Sequence, residues 1–248
     1  MEPMEPMEPM ERHEITGARL RRYILRDVEV RGSYAEGSRF IGLEMMNVEI
    51  TGEFQNVTFN GVDIAPLVEA ELNRRDPDRV KMRPTDVAGF REAWSIVQSR
   101  WDSTVERARE LPAGSLNASV DGEWSFIQTL RHLNFAGAAW VGRMILGDPS
   151  PWSPLDLPWD EAPALDDIPL TRQATPSLDE VLAVRRERQT MVSAVMEVLT
   201  EEQLASSVSR TGPGWPKIED FPFHECLLIV LNEEWEHRNF AERDLARL

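Results

Sequence analysis

The stretch Phe221 to Arg247, FPFHECLLIVLNEEWEHRNFAERDLAR, decides the fold. At 100° per residue, Cys226, Val230, Glu233, His237, Ala241 and Asp244 share one helical face, so an apolar stripe runs straight into a Glu, a His and an Asp. Burying an unpaired carboxylate costs several kcal/mol, a large part of a domain's net stability, so Glu233 needs a cation, a metal or water beside it. Glu233 and His237 lie one turn apart, a spacing that lets both side chains hold one divalent ion. A buried ion-pair network, or a helix end facing solvent, fits the same pattern.

Working outward, three more long helices carry the periodicity that would pack against this one. The first spans about Val87 to Leu111, with Phe90, Trp94, Val97, Trp101, Val105 and Ala108 on one face. The second opens at the capping box Ser125-x-x-Gln128 and runs to about Leu146, where Gly147 and Pro149 stop it. It carries His132 on a stripe with the small residues Ala136 and Ala139, which leaves room for a ligand; a satisfied core histidine is the plainer alternative. The third starts at the capping box Ser177-x-x-Glu180 and ends near Leu199, its apolar face interrupted by Arg185 and Gln189. Snorkelling to solvent would also account for Arg185. Between the second and third helices, residues 148–176 hold seven prolines, Trp152, Trp159 and six acids. So long a connection implies a crossover between parallel helices, or a cover over a site.

Register follows by counting. His132 lies seven residues beyond Ser125, Arg185 seven beyond Leu178, and the level of Arg185 projects onto Trp235 in the antiparallel last helix. His132, Arg185, Glu233 and His237 are therefore expected in one polar layer inside an apolar bundle. Two histidines and a glutamate would give three protein ligands and an open position, as in catalytic metal sites, and suit zinc, nickel, iron or manganese. His224 is expected at the helix start and Cys226 in the core, ~10 Å below Glu233 along the axis.

Upstream, the reading is compositional. Residues 1–10 repeat Met-Glu-Pro, and residues 1–15 are expected to be a disordered tail. Over 16–65 a five-residue beat brings back Leu25, Val30, Ala35, Phe40, Met45 and Ile50, with Val28, Leu43 and Val48 two positions earlier and Gly32, Gly37, Gly42 and Gly52 between. This β region resembles pentapeptide-repeat proteins, with irregular hairpins as the alternative. Residues 66–84 read as a short helix and a connector, and 85–248 as the bundle.

With 43 acidic against 27 basic residues the net charge is −16, which argues against nucleic acid and anionic membrane surfaces as partners. The longest apolar runs are far short of the ~20 residues that span a bilayer. One cysteine admits no intrachain disulfide, so a cytoplasmic protein is expected.

GEWSFIQTLRHL at 122–133, GDPSPW at 147–152 and LNEEWEHRNFAERDL at 231–245, with MRPTDVAGFREAW before them, resemble the DinB-like superfamily. The resemblance implies a mainly α fold: an up-down-down-up four-helix bundle with a long crossover, here bearing a small amino-terminal β-appendage. It also implies a homodimer and a divalent metal held by one His of the second helix and a His-x3-His pair of the fourth. By position these are His132, Glu233 and His237, so this chain departs from the pattern at Glu233. Relatives include S-transferases and isomerases that use mycothiol or bacillithiol. That implies a small electrophilic substrate and a metal-activated thiol, with Arg185, Gln189 or Arg143 holding the substrate's polar part and Trp152 and Trp159 on a closing loop.

Overall fold

The computed structural model describes residues 15–248 apart from 20, 29, 31, 32, 161 and 166. Thr58–Phe59 (β1) and Val62–Asp63 (β2) form a two-stranded antiparallel hairpin, and helix α1 (Ala65–Arg75) and a 3-10 turn (Pro77–Met82) follow. The long helices are α2 (Val87–Arg109), α3 (Phe126–Gly137), α4 (Leu178–Val198) and α6 (Phe223–Leu245), with a single turn α5 (Glu201–Leu204) after α4. Ser207–Arg210 (β3) and Ile218–Pro222 (β4) pair antiparallel just before α6. Because Phe221 and Pro222 complete β4, α6 begins two residues later than its periodicity suggests.

The local signals act as their chemistry requires. Ser125, Ser177 and Thr200 each accept from the backbone N–H three residues on, while Gln128, Glu180 and Gln203 reach back to the capping N–H. Asp86 caps α2 through Gly89 at 2.7 Å.

The four long helices close a ring in which α2 and α3 each touch both α4 and α6. Arg91, near the start of α2, donates to the carbonyls of Met196, Glu197 and Leu199 at the end of α4 (2.8, 2.9 and 3.2 Å). Arg109, at the other end of α2, reaches Asp179 at the start of α4 (2.6 Å). Trp101, Phe90, Leu130, Val181, Val192 and Leu227 are among the residues of one core shared by all four. Burial of each large apolar side chain contributes about 1.5–3 kcal/mol.

After Gly137, α3 widens into a π-helix over Ala138–Ile145, visible in the Leu146 N–H donating to the Val141 carbonyl at 2.9 Å. The crossover seats here: a Cβ on Gly142 would lie 2.7 Å from Pro151 Cβ, so only glycine admits that contact. Arg131, fully buried, fastens the crossover by donating to the carbonyls of Leu155 (2.7 Å), Thr171 (2.7 Å), Arg172 (3.1 Å) and Ala174 (2.6 Å). Such a strap would otherwise leave several backbone acceptors without partners. A second, smaller core of Phe135, Ala138, Ala139, Trp152 and Ile168 lies beneath it.

The amino-terminal segment is built differently. Positive φ recurs at Gly17, Arg22, Asp27, Gly37, Gly42, Asn47 and Gly52, one bend every five residues; Gly32, the missing step, lies outside the described residues. Among the described residues the strands of this region are β1 and β2 alone, and side chains of the beat such as Phe40 (78%) and Val48 (58%) are exposed. The tail expected over 1–15 lies, except for Ile15, outside the described residues. Among the described residues no helix is long and apolar enough to cross a membrane.

Candidate metal centre

His132 on α3 and Glu233 and His237 on α6 meet in the bundle. His132 Nε2 lies 3.2 Å and His237 Nε2 3.0 Å from the same oxygen, Glu233 Oε2, and the donor atoms of all three lie within 4.8 Å of one another. Burial alone would push the Glu233 carboxyl up, but hydrogen bonds and charge from His132 and His237 hold it down to about 2. His132 Nδ1 lies 3.1 Å from the Leu157 carbonyl, an acceptor only, so Nδ1 carries the proton. Nε2 then presents to Glu233 either a second N–H or a lone pair, the state a metal ligand needs.

The donor set fits a divalent ion. Ligand atoms bonded at ~2.0–2.1 Å to a tetrahedral zinc lie about 3.3–3.4 Å apart, and the two contacts through Glu233 are close to that separation. The backbone carbonyl behind His132 supplies the outer hydrogen bond that fixes the ring of a metal-ligating imidazole.

These three residues line a cavity of about 560 Å³, whose other walls are largely aromatic: Trp124, Phe135, Trp140, Trp159, Trp215 and Phe240. Trp124 lies over both imidazoles, its ring centroid 4.6 Å from that of His132 and 5.7 Å from that of His237. Its indole N–H points to Asp160, at 3.1 Å from each carboxylate oxygen. Trp159 and Trp215 meet at 4.8 Å and join the crossover to the β3–β4 hairpin.

The expected substrate anchors are placed otherwise. Arg185 is level with the site but turned to the other side of α6, where it makes a bidentate pair with Glu234 (3.1 and 2.6 Å) and lies over Trp101 at 4.6 Å. The single polar layer thus divides in two, because Glu233 and Glu234 point ~100° apart on one helix. Arg143 is buried and donates to the carbonyls of Pro216 (3.0 Å) and Gly212 (2.7 Å), which fixes the loop carrying Trp215. Trp152 packs beneath that loop, and neither it nor Gln189, half-buried on α4, is among the cavity-lining residues. His224 sits at the start of α6 against the Leu204 carbonyl, and Cys226 is core, its thiol pushed up to about 12 by burial. Asp244 lines the cavity and pairs with Arg243 at 2.7 Å.

Trp124, Trp215, Arg131 and Glu234 were not singled out by sequence. Trp124 and Trp215 stand in polar, turn-rich segments with no period to mark a face. Glu234 had a signal: it continues the Leu227–Leu231 row at heptad spacing, the phase that faces the core.

The sequence profile of the DinB superfamily matches residues 96–241. No curated protein and no solved structure matches the chain. The match spans more than half of the chain and includes all three converging side chains, and the protein belongs to the DinB superfamily.

Proposed function

We propose that this protein is a divalent-metal-dependent enzyme of the thiol S-transferase class, joining a small electrophile to a mycothiol-type thiol. The observation that carries the reading is the convergence of His132, Glu233 and His237 on the floor of an aromatic cavity. His132 Nε2, a Glu233 carboxylate oxygen and His237 would hold the ion, which when bound supplies Lewis acidity toward a thiol sulfur. The Leu157 carbonyl orients His132, Trp124 covers both imidazoles, and the apolar rings around them lower the local dielectric and so strengthen electrostatic contacts at the site. The helix contacts support an up-down-down-up order in which 148–176 crosses between parallel α3 and α4. The five-residue recurrence of bends supports a pentapeptide-repeat-like appendage before it.

Metal analysis of purified protein tests the proposal: near-stoichiometric zinc, nickel, iron or manganese is expected, with affinity falling by more than about 100-fold in His132→Ala and His237→Ala. Zinc at 100 times its wild-type dissociation constant should stabilise wild type by ~2.7 kcal/mol and either variant by less than ~0.4 kcal/mol. One observation favours a second reading, a non-catalytic binding protein: the same distances suit an imidazolium–carboxylate–imidazole cluster. Substoichiometric metal that is unchanged in His132→Ala would select it. Metal binding without a thermal shift from mycothiol would retain the centre and reject the thiol.

A further inference from the structure

The charge and walls of the cavity narrow the class of molecule that it takes. We propose that the electrophile it takes carries an organic cation on a compact apolar body, an alkyl- or arylammonium group, held by the aromatic faces and by Asp160. The inference deepens the active-site reading of this cavity and is independent of which metal is bound.

Four lining residues carry carboxyls, Glu123, Asp160, Glu233 and Asp244, and one carries a guanidinium, Arg243. With neutral imidazoles the lining is three charges negative, and a bound divalent ion would leave it one charge negative. Arg243 is already committed: it donates twice to Asp244, at 2.7 and 3.0 Å, and its guanidinium carbon lies 5.4 Å from the centre of the Phe240 ring. The other two arginines expected at the site hold protein groups, Arg143 the 212–216 carbonyls and Arg185 Glu234. A carboxylate or phosphate ester would therefore meet carboxylates and no uncommitted arginine among the described lining residues.

An apolar cation meets the opposite. Trp215 crosses Trp140 at 80° and Trp159 at 53°, so ring faces and edges close the cavity from several directions. Indole faces attract alkylammonium groups most strongly where water is excluded, and four such rings line this space. Asp160 stands at the exposed end, its two oxygens sharing the one indole hydrogen of Trp124. A carboxylate has about four lone-pair sites, so acceptor capacity remains for an ammonium group.

The test is a tryptophan-fluorescence titration of metal-free and zinc-treated protein with three probes: phenyltrimethylammonium, its neutral isostere tert-butylbenzene, and benzoate. Phenyltrimethylammonium should bind at least ten-fold tighter than either of the others in both preparations. Asp160→Asn, an exposed and isosteric change, should weaken phenyltrimethylammonium at least five-fold and leave tert-butylbenzene unchanged, and Trp159→Leu should weaken the cation more than its isostere. Equal affinity for the cation and its isostere, tighter binding of benzoate, or an unchanged Asp160→Asn variant would each overturn the proposal. Failure of the metal reading shows separately, as substoichiometric metal in a protein that keeps its cation preference.

Discussion

Removing Glu234 isolates a deeply buried charge in the bundle. Arg185 is 2% exposed and Glu234 5%, and the pair is joined by hydrogen bonds of 3.1 and 2.6 Å, with the guanidinium also over Trp101. Among the described residues Arg185 Nε has no hydrogen-bond partner, so the group has little left once its carboxylate goes. Breaking such a pair from one side costs about 3–5 kcal/mol, because a desolvated charge remains uncompensated. Against a typical total of ~5–15 kcal/mol, Glu234→Ala should lose about a fifth or more of the protein's stability. The double change Arg185→Met with Glu234→Leu removes both desolvated charges at similar volume and should return to within ~2 kcal/mol of wild type, or exceed it.

Urea unfolding followed by circular dichroism and by tryptophan fluorescence measures the cycle, with coincident transitions as the check on two-state behaviour. A loss below ~1 kcal/mol in Glu234→Ala, or a double variant as unstable as the sum of the singles, would refute the reasoning. The same variants decide what Arg185 does. Because it does not line the cavity, the double variant should bind ligand as wild type does. Intact stability with lost ligand binding would restore Arg185 as a substrate anchor.

Two further outcomes follow from the strap and the loop it supports. Asp156 is fully buried, and desolvation pushes its carboxyl up from 3.8 to about 6 despite the Ser153 N–H and Arg188 nearby. Between pH 4 and 6 the folded chain keeps a proton that the unfolded chain has released, so stability falls as pH rises through this window, by about 3 kcal/mol in all. Asp156→Asn should flatten that slope in urea midpoints measured from pH 4 to 7, and an unchanged slope counts against the assignment. Gly214 has φ +98°, and a Cβ there would lie 2.4 Å from Trp152 Cη2. Gly214→Ala should cost about 3 kcal/mol in thermal or urea unfolding and shift the emission of the displaced Trp215; a cost under ~1 kcal/mol would show that the loop yields freely.

The helices and the convergence of His132, Glu233 and His237 were legible because both depend on local spacing. Capping boxes, the apolar stripes and the Glu-x3-His turn are written within a few residues, and rise per residue carries register across the bundle to within a turn. Arg185 shows where counting stops. Axial level was right, but a helix presents Glu233 and Glu234 at one height in different directions, and height alone does not choose between them. Trp159 was expected on the closing loop and lines the cavity, but the rest of the cavity wall was hidden for another reason. Trp124 and Trp215 reach the site through irregular backbone, where no period assigns a face, and their positions depend on long-range contacts such as Arg143 with the 212–216 carbonyls. The π-helix over Ala138–Ile145 was equally silent, since its residues read as a continuation of α3.

The proline-rich crossover couples these levels. Arg131 and His132 are consecutive on α3, and the Leu157 peptide lies between their roles: its N–H donates to the Arg131 carbonyl at 3.1 Å, and its carbonyl meets His132 Nδ1 at 3.1 Å. Two residues on, Trp159 forms cavity wall and Asp160 receives the indole of Trp124. One strap therefore fixes the His132 imidazole, closes one side of the cavity and holds the ring that covers the cluster of His132, Glu233 and His237. Its tether is electrostatic: a single buried guanidinium gathers four carbonyls from both ends of the strap. Charge-assisted bonds of this kind give a segment without regular secondary structure the positional precision that a helix obtains from its own ladder. The length of the crossover, which a compact bundle would otherwise avoid, is explained by the three tasks that it performs at the site.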